Sequence, residues 1–168
     1  MLKGKNRLRL KVTVAAACLL QFVGGALAST TTSTFTTQIA IVASCTINSA
    51  STLNFGSQGV LIANVDQTST LQVQCTNTTP YNVGLNAGTG TGATVAVRKM
   101  TSGANTVNYS LYSDSARTTV WGNTVGTDTV AATGSGASQS YTVYGRVTAQ
   151  TTPAPATYSD TVTVTVTY

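Results

Sequence analysis

The sequence predicts an all-β domain built as a sandwich, and three observations carry that expectation. Apolar residues alternate with polar ones in several short runs, and clusters of turn-forming residues separate those runs. Beyond the first 28 residues, no stretch shows a capped apolar repeat of helical period. Many short strands at this spacing pack as two layers over one core.

The first 28 residues are set apart. Lys3, Lys5, Arg7, Arg9 and Lys11 precede a mostly apolar stretch from Val12 to Leu27, and Ala26-Leu27-Ala28 offers small residues to a signal peptidase. Residues 1–28 therefore read as an export signal. A retained anchor is disfavoured by Gln21 and the Gly24-Gly25 pair, since a span needs about 20 apolar residues. A lipoprotein reading of Cys18 is disfavoured because Ala15-Ala16-Ala17 lacks the usual Leu and apolar sequence continues past it.

After the signal, period-2 runs place Leu71, Val73 and Cys75 on one face, then Tyr81, Val83 and Leu85. Val107, Tyr109 and Leu111 follow the same rule, as do Tyr141, Val143, Gly145 and Val147. The stretch Gly88–Gly92 lacks the Lys-Ser/Thr ending of a phosphate loop and reads as a surface hairpin.

The two ends carry most information. From Tyr158 the chain leads into Val162, Val164, Val166 and Tyr168 on one face, with Thr163, Thr165 and Thr167 on the other. No later segment is expected to supply a neighbour for this strand. After the signal, Phe35, Thr37, Ile39, Ile41 and Ala43 fall on one face of a segment roughly 30 Å long at about 3.3 Å per residue. Two readings stand. The segment is an ordinary first strand of its own domain, or it is donated to a neighbouring copy by β-augmentation. Head-to-tail donation generates an open filament.

Charge and cysteine content change once the signal is removed. Arg98, Lys99, Arg117 and Arg146 then face Asp66, Asp114, Asp128 and Asp160, so the +5 of the full chain resides in the leader. Neither nucleic-acid binding nor membrane insertion after cleavage is expected. Cys45 and Cys75 remain, and in an exported chain they most simply form one disulfide. Such a bond closes a loop of about 30 residues, worth roughly 3–4 kcal/mol. A redox-active pair is the other reading, although such pairs usually lie closer together, as C-x-x-C.

Chemistry has little to work with. The chain has no His and no Glu, which removes a Ser-His-Asp triad, a Glu acid/base and a structural zinc site. No enzyme activity, metal or cofactor is expected. Lys99 with Ser102 reads as a surface Lys beside a turn rather than a dyad, and Asp160 with Arg146 as a structural ion pair between neighbouring strands. Tyr109, Tyr112, Trp121, Tyr141, Tyr144 and Tyr158 could stack on sugars in an adhesin, but their strand positions favour core packing or subunit contact.

Several motifs, in order, resemble the spore coat protein U domain family, which includes subunits of archaic chaperone–usher pili of the Csu type. They are Cys45-Thr46-Ile47, Leu53-Asn54-Phe55-Gly56, Val73-Gln74-Cys75 and Pro80 to Gly88. Arg98-Lys99-Met100, Tyr109 to Tyr112, Trp121-Gly122, Val143 to Arg146 and Tyr158 to Val162 complete the series. The resemblance implies an incomplete immunoglobulin-like β-sandwich lacking its final strand and completed by donor-strand exchange. It implies three segments: a signal over 1–28, a donor segment over 29–44 and a pilin domain over 45–168. Phe35, Thr37, Ile39 and Ile41 would be the donor side chains. Val162, Val164, Val166 and Tyr168 would line the acceptor groove and meet a periplasmic chaperone, whose basic groups would receive the Tyr168 carboxylate. Further implied partners are an outer-membrane usher and identical or related pilins, and the destination is the cell surface. Thr37 is polar where a donor strand prefers an apolar residue, and Pro155-Ala156-Thr157 lacks a glycine common in the family. The family name also leaves open a role in a spore or cell coat.

Overall fold

A computed structural model describes residues 25 and 27–168 of the chain. The expected export signal, with Cys18, lies almost wholly outside the described residues. The chain divides into two units, residues 1–39 and residues 40–168, and the second holds every described strand. The described residues of the first form no strand and are exposed.

Eight strands follow in chain order: β1 (Cys45–Ala50), β2 (Val65–Cys75), β3 (Pro80–Leu85), β4 (Arg98–Ser102), β5 (Asn105–Tyr112), β6 (Val130–Thr133), β7 (Ser138–Val147) and β8 (Val164–Thr167). Among the described residues there is no helix. One sheet has the order β1-β2-β7-β5-β4 and the other β6-β3-β8, and every pairing between them is antiparallel. β2 and β7 form the backbone of the larger sheet, in register from Val65 opposite Val147 to Gln74 opposite Ser138.

The alternation dictates the core. Leu71, Val73 and Cys75 of β2 point inward with Val143 and Val147 of β7, and meet Tyr81, Val83 and Leu85 from β3. Trp121, on the connection after β5, is buried with them and donates its indole N–H to the Val83 carbonyl at 2.8 Å. Gly145 occupies an inward position of β7 for lack of space: a Cβ there would collide with the Leu53 side chain and press on Phe55. The residues after β1 can therefore lie flat across β7. Cys45 and Cys75, paired at the open end of β1 and β2, are joined by a disulfide.

Three expectations require correction. Gly88–Gly92 is not a hairpin, because β3 and β4 lie in different sheets and the segment crosses between them. Glycine serves this crossing at Gly88, whose φ is +82° and whose missing Cβ leaves room for the Asp160 carboxylate. Asp160 and Arg146 do not pair: Arg146 stands opposite Asp66 in the β2–β7 register, while Asp160, ahead of β8, accepts from Thr89 of the crossing. The final strand is shorter than its sequence pattern, since Val164–Thr167 alone pairs with β3 and Ser159 makes a separate bridge to Thr101.

Candidate functional site

β8 lies at the edge of its sheet. One side pairs with β3, from Leu85 opposite Val164 to Asn82 opposite Thr167, and among the described residues the other has no strand beside it. β1 lies at the edge of the facing sheet and is exposed along nearly its whole length. Ile47 points to the same side as Val73, its register partner, yet remains 42% exposed while Val73 is fully buried. The sandwich is open along this seam.

Two adjoining hollows run beneath the opening, of about 460 and 780 Å³. They share Leu53, Phe55, Met100 and Tyr158, so the apolar lining is continuous. Leu71, Leu85, Tyr109, Leu111 and Val143 form the floor of the first, and Val162, just before β8, and Val164 of β8 form one wall. The second continues past Val60 and Leu61 toward Val107, Val147 and Pro153. Such a groove offers a strand two things: an unpaired backbone edge, and pockets for alternate side chains.

Polar groups hold the walls. The Asp160 carboxylate accepts from the Thr89 N–H at 2.7 Å, the Thr89 hydroxyl at 2.8 Å, the Tyr109 hydroxyl at 2.8 Å and the Thr161 N–H at 2.7 Å. Burial opposes its ionisation, but these hydrogen bonds together outweigh burial and hold its pKa below the ordinary carboxylate value. Burial, reinforced by Asp160, pushes the Tyr109 hydroxyl well above an ordinary tyrosine. Beneath them Arg98 is fully buried, and burial lowers its pKa. Its guanidinium donates to the carbonyls of Asn86, Val95, Leu85 and Trp121 at 2.7–2.9 Å.

The other carboxylates are likewise committed to the fold. Asp66 accepts two hydrogen bonds from Arg146, at 2.7 and 2.8 Å, with Arg117 at 3.4 Å, and the Arg146 bonds chiefly lower its pKa. Asp114 accepts from the backbone of Thr118 and Thr119, and Asp128 from Thr124. Lys99 donates to the Thr91 carbonyl. Among the described residues, no cluster of His, Cys, Asp and Glu is suited to a metal ion. Of the aromatic side chains considered for sugar stacking, Tyr109 and Trp121 are buried in the core and Tyr112, Tyr141, Tyr144 and Tyr158 are partly buried.

Val162 and Val164 line the groove, Val166 packs at its end against the core, and Tyr168 is 59% exposed. Phe35, Thr37, Ile39 and Ile41 are all exposed, the three apolar ones by 76–88%. Sequence reasoning missed the opposite wall. Leu53, Phe55 and Met100 belong to no clean alternating run, and their only signals were the motifs Leu53-Asn54-Phe55-Gly56 and Arg98-Lys99-Met100.

The profile of the Spore Coat Protein U domain family matches residues 31–165. Protein U of Myxococcus xanthus is 35% identical over 169 residues, covering 92% of this chain and 93% of that protein. Among solved structures, the fold resembles a chain of the CsuC–CsuE chaperone–tip adhesion subunit pre-assembly complex from the archaic chaperone–usher Csu pili of Acinetobacter baumannii. The TM-score is 0.54 with 26% identity over 76% of this chain, which spans 40% of the length of that one.

Proposed function

The chain belongs to the Spore Coat Protein U domain family, and from that premise we propose that it is a structural subunit of an archaic chaperone–usher pilus. Residues 1–28 direct export, residues 29–44 are donated, and residues 45–168 form the receiving domain. Phe35, Ile39 and Ile41 of one copy enter the groove of the next, lined by Val162 and Val164, while Thr37 fills its pocket poorly. Each apolar side chain contributes about 1.5–3 kcal/mol on burial. Before assembly, a periplasmic chaperone covers the groove and the strand leading to Tyr168, and an outer-membrane usher exchanges it for an identical or related subunit. The resulting surface fibre serves adhesion and biofilm formation.

One observation carries this reading: the sandwich is open beside β8 while an exposed alternating apolar segment precedes β1. Surface material run unboiled on a denaturing gel is expected to give a ladder of multimers that collapses on heating. Deleting residues 29–43 from the exported form should leave a chaperone-bound monomer. Fibres assembled from that variant would end the proposal.

A second reading is a coat layer around a spore or cell, favoured by the match to Protein U over nearly that protein's full length. Electron microscopy separates the two, since a pilus gives thin fibres shed by shearing and a coat gives a continuous shell.

A further inference from the structure

We propose that the Cys45–Cys75 bond is a load-bearing link through which tension along the fibre bypasses the wall of the acceptor groove. This rests on the polymer reading above, in which a neighbour pulls on the segment preceding β1.

Such a pull meets the fold at Ser44 and Cys45, the first residue of β1. β1 is poorly built to resist it. It is six residues long, exposed, at a sheet edge, and its register with β2 shifts between Ile47 and Ser49. An edge strand drawn from its end comes away pair by pair. The chain after β1 then supplies Leu53, Phe55 and Leu61 to the groove. Peeling β1 would pull that wall apart and release the strand lodged in it, so each subunit would loosen its hold on one neighbour when pulled by the other.

The disulfide changes the route. It joins Cys45 to Cys75, the last residue of β2, which is buried and flanked by β1 and β7. Residues 46–74, groove wall included, become a side loop outside the covalent path. Tension passes from Cys75 through residues 76–79 into β3, the strand bonded to β8. That turn is tied down for the purpose. Thr78 N–H donates to the Gly134 carbonyl at 2.8 Å, Gly134 N–H to the Thr79 carbonyl at 2.7 Å, and the Thr76 and Thr79 hydroxyls share a hydrogen bond of 2.6 Å. The load therefore crosses from the donated segment to the groove's β8 side without touching the opposite wall.

The test pulls single fibres of the unmodified chain with and without a thiol reductant, and compares fibres of a Cys45→Ser/Cys75→Ser variant. If that variant fails to fold, reduction of preassembled fibres supplies the same comparison. Intact fibres should separate between subunits at a higher force than reduced ones. Each subunit that unfolds before separation should lengthen by roughly 100 Å less, the span of the shielded residues at about 3.3–3.6 Å each. Without load, the multimer ladder should survive reduction. Equal separation forces in the two states would overturn the proposal, as would a ladder that collapses on reduction alone, which would assign the bond to static folding. Failure of the unmodified chain to form any fibre would instead overturn the polymer reading, and the link with it.

Discussion

Arg98 serves the carbonyls of Leu85, Asn86, Val95 and Trp121 with one side chain, where the end of β3, the β3–β4 connection and the β5–β6 connection meet. Lysine has three donors on one nitrogen and cannot reach the four in these directions. Arg98→Lys is expected to lower stability by about 3 kcal/mol or more, since each abandoned buried acceptor costs roughly 1–3 kcal/mol. Urea denaturation checks this. The acids set a broad pH window. Asp66 and Asp160 have depressed pKa values in the fold, so their stabilisation is complete above the unfolded carboxylate value and is lost as pH falls through the lower folded values. Tyr109 and Tyr141 are raised by burial, so their contribution is present below about pH 10, the ordinary tyrosine value, and declines above it. With no His and no Glu, little titrates between. The urea midpoint should be nearly flat from about pH 5 to 9 and fall on both sides, with the acid limb shallower in Asp160→Asn. A marked slope near pH 6.5 would contradict the assignment.

At the scale of the strand, β7 and the segment after β1 depend on each other through Gly145. Gly145→Val should cost about 1–3 kcal/mol through overpacking and should open the Leu53–Phe55 wall, read as faster hydrogen exchange at residues 51–56. Replacing Cys45 and Cys75 by Ser should lower stability by roughly 3–4 kcal/mol, and an unchanged melting temperature would argue against that value. The strands that face the core on one side and water on the other were legible in advance. Leu71-Gln72-Val73-Gln74-Cys75 and Tyr141 to Val147 alternate because each successive residue meets a different medium. The connections were not, because an irregular backbone imposes no period. Residues 51–64 bury Phe55 and Leu61 while leaving Val60 and Ile62 in water, a pattern set by tertiary contacts alone. The partner of Arg146 was missed for a related reason: Asp66 lies 80 residues earlier, and only the β2–β7 register brings them face to face. Val164 could be read from the alternation of the last strand, whereas most of the groove lining comes from connections.

For the molecule as a whole, folding and assembly should be separable. Val164→Lys places a charge on the groove wall but leaves the β3–β8 backbone pairing intact. Its exported product should fold, with the disulfide formed and a cooperative melt, yet give no ladder on an unboiled gel. On the pilus reading, a bulky tag after Tyr168 should likewise reduce capture by the proposed chaperone and lower periplasmic yield; normal yield would exclude a role for that end.

The unpaired flank of β8 has one more effect. Thr161–Tyr168 contains neither a charged side chain nor a proline, the usual gatekeepers that keep exposed strand edges from sticking to their own kind. On the pilus reading, a subunit without its chaperone is thus a template for amyloid-like stacking, and its soluble lifetime should shorten as concentration rises. Producing this protein without an escort would then lead mainly to inclusion bodies, with escort supply rather than synthesis rate setting the yield.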